Sequence, residues 1–250
     1  MLLQLQNISF AFAGKNHLLQ NISLTLEEQK IYALMGVNGS GKTTLFNLIT
    51  GFNKPKSGDI YFRDKNITHY PTFKINRTGI SRTFQDLRLI GKLTVRENVL
   101  LAMRGNPTDN WVKALLPKSF YFNEFKVMTE KADEIISEYL LQDIVNNLAG
   151  EISYGQQKLL NLACCVANGA SLLLLDEPLA GVNEEYIALL QDKIRKMISQ
   201  GKTILLIDHH TDFIGDVAAN IFFLNEGKIR SFNTMEELKN DPEVIEVYIQ

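Results

Sequence analysis

The segment Gly36–Thr43 concentrates glycine, lysine and hydroxyl residues at a spacing that suits phosphate chemistry. It reads Gly-Val-Asn-Gly-Ser-Gly-Lys-Thr, which matches the pattern G-x-x-x-x-G-K-[ST]. Glycines let the backbone wrap around phosphate oxygens with its N–H groups pointing inward, and a following helix adds partial positive charge. The apolar run Lys30–Met35 before it and the helical spacing of Thr43–Thr50 after it predict a strand, a loop and a helix. A glycine-rich turn that only caps a helix would explain neither the lysine nor the hydroxyl.

The polar residues of this loop have distinct predicted roles. We expect the Lys42 side chain to reach the β and γ phosphates of a nucleotide, and the Thr43 hydroxyl to ligate Mg²⁺. The predicted nucleotide-binding residues of the segment are Gly36, Asn38, Gly39, Ser40, Gly41, Lys42, Thr43 and Thr44. The segment therefore predicts binding of a nucleoside triphosphate together with Mg²⁺.

A second group of candidate residues ends an apolar run. Leu172–Leu175 is followed directly by Asp176 and Glu177, a pattern that resembles the Walker B element. A strand buried on both faces would deliver Asp176 to the Mg²⁺ shell, and Glu177 could then polarise an attacking water as general base. Two carboxylates could also simply mark a strand end in solvent. With the phosphate loop upstream, the pattern favours a P-loop ATPase.

The segment Ile152–Gln157, about twenty residues before Asp176, reads Ile-Ser-Tyr-Gly-Gln-Gln. Here the sequence resembles the ABC ATPase family, whose signature is usually written L-S-G-G-Q. The matching residues are Ser153, Gly155 and Gln156, and the resemblance implies that all three bind nucleotide. A serine and a glycine that open a helix present a hydroxyl, an N–H group and a positive dipole end, which suits the γ-phosphate of a nucleotide held by another subunit. A plain helix N-cap would explain the serine but not its spacing to Asp176.

Three further positions fit the same resemblance and extend it over essentially the whole chain. Gln85 matches the Q-loop, which in the family links Mg²⁺ and the attacking water to the surface that grips the membrane subunit. His209 matches the switch histidine that contacts the γ-phosphate, although His210 could serve instead, or the two histidines could bind a metal. Phe12 matches the aromatic residue that stacks on adenine, and its competing interpretation is an ordinary strand-core aromatic.

Departures from the broad family pattern resemble a narrower group within it. Ala180–Asn183 places Asn183 where the family usually has an aspartate, and this segment and Ser-Tyr-Gly-Gln-Gln at the signature are similar to the ATPases of branched-chain amino acid and related amide or urea importers. Three other segments agree with that group, namely Arg82–Gln85, Leu93–Val99 and Asp241–Tyr248. Lys158–Asn161, by contrast, lacks the arginines and the glutamate typical after the signature.

The elements that must position these residues follow from the hydrophobic pattern. Leu3–Phe12 and Ile22–Leu26 read as antiparallel strands, and residues 95–148 read as mostly helical. Helix and strand then alternate over Gln156–Asn168, Leu172–Leu175, Glu184–Gln200, Thr203–Ile207 and Ile221–Leu224. Such alternation predicts an α/β fold with a mostly parallel sheet. With the resemblance, it predicts a P-loop NTPase core, an N-terminal antiparallel β subdomain and a helical subdomain.

The predicted organisation is a single ABC ATPase domain over residues 1–250. Residues 1–85 are expected to form the β subdomain and the P-loop core, 86–150 the helical subdomain, and 151–250 the signature helix and the remainder of the core. A length of 250 residues is consistent with one domain of this kind.

Composition and charge indicate which classes of partner and which cellular compartment to expect. A formal net charge of −2 gives no basic footprint for nucleic acid, so we expect no nucleic-acid partner. The neighbouring Cys164 and Cys165 read as reduced core thiols rather than as a disulfide or metal pair, which fits a reducing compartment. No apolar run approaches the roughly 18 residues of a membrane span, and Met1–Asn7 lacks the marks of a signal peptide. The expected location is the cytoplasmic face of the cell membrane.

The resemblance also implies a set of protein partners. Two ATPase subunits, identical or different, would close head to tail, with each ATP lying between Lys42 and Thr43 of one chain and Ser153 and Gly155 of the other. Integral membrane permease subunits would couple to this dimer, and an importer would add an extracytoplasmic solute-binding protein. We therefore expect the ATP-hydrolysing subunit of a membrane transporter, resembling an importer of branched-chain amino acids or related small polar solutes.

Other classes of function predict different sequences. An exporter ATPase and a non-transport soluble ABC ATPase are alternatives, but repair types carry long coiled-coil or zinc insertions and translation types carry two cassettes, which 250 residues do not accommodate. A kinase would share the phosphate loop without the signature serine or the switch histidine. An inactive binding module would not be expected to retain Lys42, Asp176, Glu177 and His209.

Overall fold

A computed structural model of the chain describes residues 1–14, 17–83, 87–105 and 122–249. These residues form two compact units. The first contains Met1–Arg82, Ser171–Gly181 and Gln191–Gln250, and the second contains Thr83–Ala170 and Val182–Leu190. The division into residues 1–85, 86–150 and 151–250 stays a prediction.

Within the described residues, the strands all belong to the first unit. In chain order they are β1 (Leu3–Phe10), β2 (Leu19–Leu26), β3 (Ile31–Met35), β4 (Ser57–Phe62), β5 (Lys65–Asn66), β6 (Ile80–Arg82), β7 (Leu172–Asp176), β8 (Thr203–Ile207), β9 (Ala218–Asn225) and β10 (Lys228–Phe232). The helices are α1 (Lys42–Ile49), α2 (Thr72–Thr78), α3 (Val95–Ala102), α4 (Phe122–Glu138), α5 (Tyr154–Ala167), α6 (Glu184–Ser199), α7 (Thr211–Val217), α8 (Met235–Lys239) and α9 (Pro242–Ile249), with a 3₁₀ turn at Gln142–Ile144.

The larger sheet has the order β10-β9-β3-β8-β7-β6. Neighbouring strands of this sheet pair in parallel, except that β9 and β10 pair with each other as an antiparallel hairpin. The strands β3, β7 and β8 are buried at every position, and continuous apolar strands of this kind are typical of parallel sheets covered on both faces. The predicted α/β class with a mostly parallel sheet is confirmed. Because parallel strands end at the same edge, the segments that follow β3, β7 and β8 emerge together there, which is where ligands bind in such folds.

The smaller sheet has the order β2-β1-β4-β5 and is antiparallel, which confirms the predicted N-terminal β subdomain. One apolar core joins strands of both sheets to helix α1. Helix α1 contributes Leu45, Phe46, Leu48 and Ile49 to this core, all of them buried. This packing fixes the helix whose first turn follows the phosphate loop.

Several element boundaries differ from the predicted ones. Strand β1 ends at Phe10, so Phe12 lies beyond it, and α5 begins at Tyr154, earlier than the predicted Gln156, because Ser153 caps the helix. Strands β5, β6 and β10 were not predicted. Strands of two or three residues, such as β5 and β6, are too short to show a periodicity, and in β10 charged and polar residues interrupt the apolar pattern.

The second unit is built from helices α3, α4 and α5, which pack on one another. Its buried apolar residues include Val95, Val99, Met128, Ala132, Ile136, Leu159, Leu160 and Leu162. Helix α3 starts with a capping box in which the Thr94 side chain accepts from the Glu97 backbone and the Glu97 carboxylate accepts from the Thr94 backbone. These helices confirm the predicted helical subdomain as a structural feature.

Two expectations from composition have structural counterparts. Within the described ranges, no helix combines the length and the apolar character that crossing a bilayer requires. Cys164 and Cys165 both lie on α5 as thiols, and burial raises the pKa of the Cys164 thiol.

Candidate nucleotide hydrolysis site

The phosphate loop of the first unit depends on glycine for steric reasons. Gly36, which follows β3, has φ +146°, and a Cβ built at this position would lie 2.1 Å from the Leu224 carbonyl oxygen of β9. Gly39 and Gly41 also have positive φ, at +80° and +107°. Gly41 precedes the first residue of α1, whose first turn contains no acidic side chain. The loop therefore presents an uncompensated helix N-terminus, as anion binding requires.

Lys42 opens α1 and folds back over the loop. Its Nζ donates to the Gly36 carbonyl oxygen at 2.7 Å and to the Val37 carbonyl oxygen at 2.9 Å. Burial lowers the pKa of the Lys42 ammonium, and the charges of Glu177 and Asp176 oppose that shift. The electrostatic influence of both carboxylates indicates that the loop and the end of β7 share one site.

The hydroxyl groups of the loop fit a phosphate and a hard cation. Ser40 Oγ is buried and has no hydrogen-bond partner in the part of the chain that the structure describes. Thr43 is exposed at the start of α1, and Asp176 supplies a carboxylate at the end of β7. Hydroxyl and carboxylate oxygens are the donors that Mg²⁺ prefers, so the residues present fit a magnesium–nucleotide complex.

Asp176 is held by an arginine that we did not single out from the sequence. Arg82 Nη2 donates to Asp176 Oδ2 at 2.8 Å, and both side chains are 4% exposed. Arg82 Nη1 donates to Asn47 Oδ1 on α1 at 2.6 Å, and the guanidinium lies 5.2 Å from the centre of the Phe46 ring. The segment around Arg82 carries no local signal for this role, because Asp176 lies 94 positions away in the chain.

Glu177 and His209 come together at the same edge of the sheet. His209 Nε2 lies 3.4 Å from Glu177 Oε1. Glu177 has φ +49°, an uncommon value for a residue other than glycine, and its N–H donates to the Ile207 carbonyl oxygen at 2.8 Å. The left-handed backbone is thus anchored to the end of β8, and such departures are frequent in active sites.

Asp208 organises the segment that carries the two histidines. Its Oδ1 accepts from the backbone N–H groups of His209 and His210 and lies 2.5 Å from His210 Nδ1, and its Oδ2 accepts from the Leu179 backbone. His210 is therefore tied to Asp208, whereas His209 faces Glu177. Asp208 directly follows the apolar strand β8, just as Asp176 and Glu177 directly follow the apolar run Leu172–Leu175. That sequence pattern could have revealed Asp208 as a candidate site residue. Over the described ranges, no group of three or more His, Cys, Asp or Glu side chains is placed to hold a metal ion.

The signature residues lie in the second unit, at the start of α5. The Ser153 side chain accepts from the Gln156 N–H at 3.3 Å, and Gln156 Oε1 accepts from the Ser153 N–H at 2.9 Å, which completes a capping box. Ser153 is exposed, so its hydroxyl faces solvent as well as the helix. The side chain of Gln156, which we predicted to bind nucleotide, here binds the backbone of Ser153.

Gly155 and Asn183 have structural roles within the second unit that the sequence did not reveal. A Cβ at Gly155 would lie 2.5 Å from the Tyr186 ring of α6, so the ring packs directly on the glycine. Asn183 Oδ1 accepts from the Tyr186 N–H at 3.1 Å and caps α6. Asparagine and aspartate cap helices about equally well, which gives Asn183 a physical role where the family usually has an aspartate.

Two predicted site residues stand apart from these clusters. Phe12 is 46% exposed and contacts Phe10 edge to face, with ring centres 5.0 Å apart. That exposure is inconsistent with a strand-core aromatic and leaves a ring face for a ligand, but the adenine-stacking role stays a prediction. Gln85 lies outside the described residues.

The fold and the site define a P-loop ATPase, and comparison with known proteins identifies its family. The family model described as ABC transporter matches residues 19–180. The chain therefore belongs to the ABC transporter ATP-binding family, and its member subunits hydrolyse ATP and act as dimers with membrane permease components.

Individual relatives match over nearly their whole lengths. The chain is 32% identical to the high-affinity branched-chain amino acid transport ATP-binding protein BraF of Pseudomonas aeruginosa, over 99% of this chain and 97% of that protein. It is 34% identical to the corresponding protein LivG of Salmonella typhimurium, over 92% and 90%. Among solved structures, an ATP-binding cassette of an ABC transporter in its ADP conformation is 30% identical with a TM-score of 0.84, over 99% of this chain and 98% of that chain.

Proposed function

We propose that Glu177 and His209 carry out the hydrolysis of ATP in this subunit. The observation that carries this assignment is the 3.4 Å separation of Glu177 Oε1 and His209 Nε2, beside the buried Asp176 and the phosphate loop. Glu177 accepts a proton from a water whose oxygen attacks the γ-phosphorus, and the bond from that phosphorus to the β–γ bridging oxygen breaks, so that ADP and phosphate leave. His209 contacts the γ-phosphate and orients the site. Gln85 is proposed to orient the attacking water and Mg²⁺.

The loop residues bind the nucleotide in this proposal. The phosphates are bound by Gly36, Asn38, Gly39, Ser40, Gly41, Lys42, Thr43 and Thr44, and Phe12 stacks on the base. Thr43, Gln85 and Asp176 would hold Mg²⁺, which neutralises charge on the transferring phosphoryl group when it is bound. Burial lowers the pKa of Lys42, and the negative charge of a bound phosphate would favour its charged form.

Completion of the site requires a second ATPase subunit in this proposal. Ser153 and Gly155 would approach the γ-phosphate bound at Lys42 and Thr43 of a partner subunit, with Gln156 holding the serine in place. The exposed, capped start of α5 supports this role, because a helix N-terminus favours a negative charge. Binding and closure are thermodynamically linked, so any force that closes the dimer raises ATP affinity by the same factor.

The transported solutes are proposed to be branched-chain amino acids or related small polar molecules. The support is the similarity to BraF and LivG over nearly the whole chain, together with Ala180–Asn183 and the signature Ser-Tyr-Gly-Gln-Gln. An importer of this kind would also use an extracytoplasmic solute-binding protein, and the ATPase would lie at the cytoplasmic face of the membrane. ATP-dependent uptake of leucine, isoleucine and valine by vesicles containing this subunit with its membrane permease subunits would test the assignment, and uptake of none of them would reject it.

Substitution of Glu177 by glutamine tests the catalytic assignment. We expect a loss of hydrolysis of about 10²-fold or more, since general base catalysis commonly contributes that much, while ATP binding persists and ATP now traps a dimer. Phosphate release and size-exclusion chromatography with ATP measure the two effects. Glu236→Gln is the matched control, because it makes the same change of side chain at an exposed residue of α8. Turnover of Glu177→Gln near that of the control would remove Glu177 from this role.

A further inference from the structure

We propose that Arg82 is a positioning residue of the hydrolysis reaction, which sets the carboxylate of Asp176 and the Thr43 face of α1 in the arrangement that magnesium–nucleotide binding needs. The inference rests on the proposed function in one respect, namely that Asp176 and Thr43 ligate Mg²⁺. It assigns to the chain a residue that supports the metal ligands and does not itself contact nucleotide.

The contact with Asp176 fixes the direction of that carboxylate. Arg82 Nη2 and Asp176 Oδ2 are 2.8 Å apart, and solvent reaches only 4% of either side chain. Burying a polar group this deeply is costly without a hydrogen-bond partner, and Arg82 supplies one. The hydrogen bond at Oδ2 sets the direction in which the two carboxylate oxygens point their lone pairs.

The contact with Asn47 extends the same control to the phosphate loop. Arg82 Nη1 donates to Asn47 Oδ1 at 2.6 Å. Asn47 follows Thr43 by four residues on α1, and residues four apart lie on the same face of a helix. The guanidinium also lies over Phe46 of this helix, 5.2 Å from the ring centre. Arg82 thus joins the strand that carries Asp176 to the helix face that carries Thr43.

Arginine suits this position for a geometric reason. Its planar guanidinium presents five N–H donors in a fixed fork, so it binds two acceptors on different elements at once, whereas the lysine ammonium is a flexible point charge. Arg82 also ends β6 and pairs with Leu174 of β7 in register, which holds its backbone beside the strand of Asp176. Residues that orient metal ligands in this way typically change metal affinity 10–100-fold when they are replaced.

The test measures how Mg²⁺ changes nucleotide affinity, independently of turnover. ATP binding is measured by calorimetry in EDTA and across a Mg²⁺ titration, for wild type, Arg82→Gln and Arg82→Lys. We expect Arg82→Gln to leave binding in EDTA within about twofold and to raise the Mg²⁺ midpoint about tenfold or more. Arg82→Lys, which can reach only one of the two acceptors at a time, should recover part of that shift. An unchanged midpoint in Arg82→Gln would overturn the inference.

Two further variants separate a positioning role from a stabilising one and from failure of the proposed function. Arg195→Gln is the matched control, because Arg195 also contacts a carboxylate, Asp216 at 3.7 Å, and an aromatic ring, that of Phe213 at 5.1 Å, with no predicted metal ligand. Its Mg²⁺ midpoint should equal that of wild type, and a shift matching Arg82→Gln would overturn the inference. If Asp176→Asn leaves the midpoint unchanged, the metal assignment of the proposed function fails. If Asp176→Asn shifts it and Arg82→Gln does not, the inference about Arg82 fails alone.

A folding defect of Arg82→Gln would leave Arg82→Lys and Asn47→Leu to decide the question. Asn47→Leu keeps the ion pair and removes only the contact to α1. We expect its Mg²⁺ midpoint to rise about threefold, at the lower end of such supporting effects. Wild-type midpoints in both Arg82→Lys and Asn47→Leu, in protein with a cooperative unfolding transition, would overturn the inference.

Discussion

The proposed catalytic residues of the first unit and the predicted signature residues of the second unit are held in opposite ways. In the first unit, side chains far apart in the chain contact one another, as Arg82 and Asp176 do across 94 positions. In the second unit, Ser153 and Gln156 form reciprocal side-chain to backbone hydrogen bonds within a single helical turn. The first arrangement is a site assembled from distant parts of the chain. The second is a helix N-terminus that is capped by its own residues and whose Ser153 is exposed.

This difference separates two physical requirements. An assembled site needs close packing of strands and helices, so it is most sensitive to substitutions that add atoms where the packing leaves no space. A presented helix end needs only a good cap and a firm support beneath it, here the Tyr186 ring under Gly155. Substitutions that probe packing, capping and charge should therefore affect the two regions to different degrees.

The largest effect on stability is expected at Gly36 of the phosphate loop. Gly36→Ala puts a Cβ 2.1 Å from the Leu224 carbonyl oxygen, a backbone atom of a buried strand, at φ +146°. We expect a loss of about 3 kcal/mol in the free energy of unfolding and loss of ATP binding. Gly39→Ala is the matched control, because that site has φ +80° but open space around it, and it should lose only about 1 kcal/mol. Urea unfolding measures both, and equal losses would contradict a packing requirement at Gly36.

Gly155→Ala should have an intermediate effect because its neighbour is a side chain. The added Cβ would lie 2.5 Å from the Tyr186 ring, and the ring has room to move because it is only partly buried. We expect a loss of about 2 kcal/mol in the free energy of unfolding. The double variant Gly155→Ala with Tyr186→Ala, compared with Tyr186→Ala alone, should recover most of that loss but little ATPase activity if the glycine is also needed next to a phosphate. Recovery of full activity would restrict Gly155 to packing.

Ser153 distinguishes capping from nucleotide contact. Ser153→Ala removes the cap of α5 and should cost about 1 kcal/mol in the free energy of unfolding. Ser153→Asn preserves a cap of similar strength, so it should unfold like wild type. Both variants should lose ATPase activity about tenfold or more if the hydroxyl contacts the γ-phosphate of the partner's nucleotide. Full activity in Ser153→Asn would limit Ser153 to the helix cap.

The smallest effect is a pH dependence that arises at Lys42. Burial lowers the pKa of this ammonium below its usual 10.5, so between the folded and unfolded pKa values the unfolded chain binds more protons. The Lys42 contribution to stability is therefore least favourable below the folded pKa and improves as pH rises toward 10.5. Wild type should gain stability relative to Lys42→Met as the pH is raised toward 10.5 in urea unfolding. A difference that stays constant over this range would contradict the lowered pKa.

Sequence reasoning succeeded where one segment carries its own signal. The phosphate loop, the apolar strand before Asp176 and Glu177, and the serine that opens α5 each show a pattern within about ten residues. Strand β6 and the roles of Arg82 and Tyr186 were missed, because each depends on a contact with a residue far away in the chain. Asp208 was missed although it directly follows an apolar strand, a pattern that the sequence does show.

The predicted end of β1 and the predicted start of α5 were wrong for a related reason. Alternation suggested that β1 continues to Phe12, but the strand ends at Phe10 and leaves the Phe12 ring exposed. Helix α5 begins two residues before the predicted start because the capping box, and not the apolar spacing, decides where a helix begins.

The sequence by itself determined the phosphate loop, the paired carboxylates, the signature serine and the α/β class, because glycine spacing, apolar runs and capping residues act locally. Tertiary structure alone decided that His209 faces Glu177 and that Arg82 links Asp176 to Asn47. The physical reason is that neighbouring residues share a short stretch of backbone, whereas a charge, a ring or a metal ligand is placed by whichever strands the packed sheet brings together.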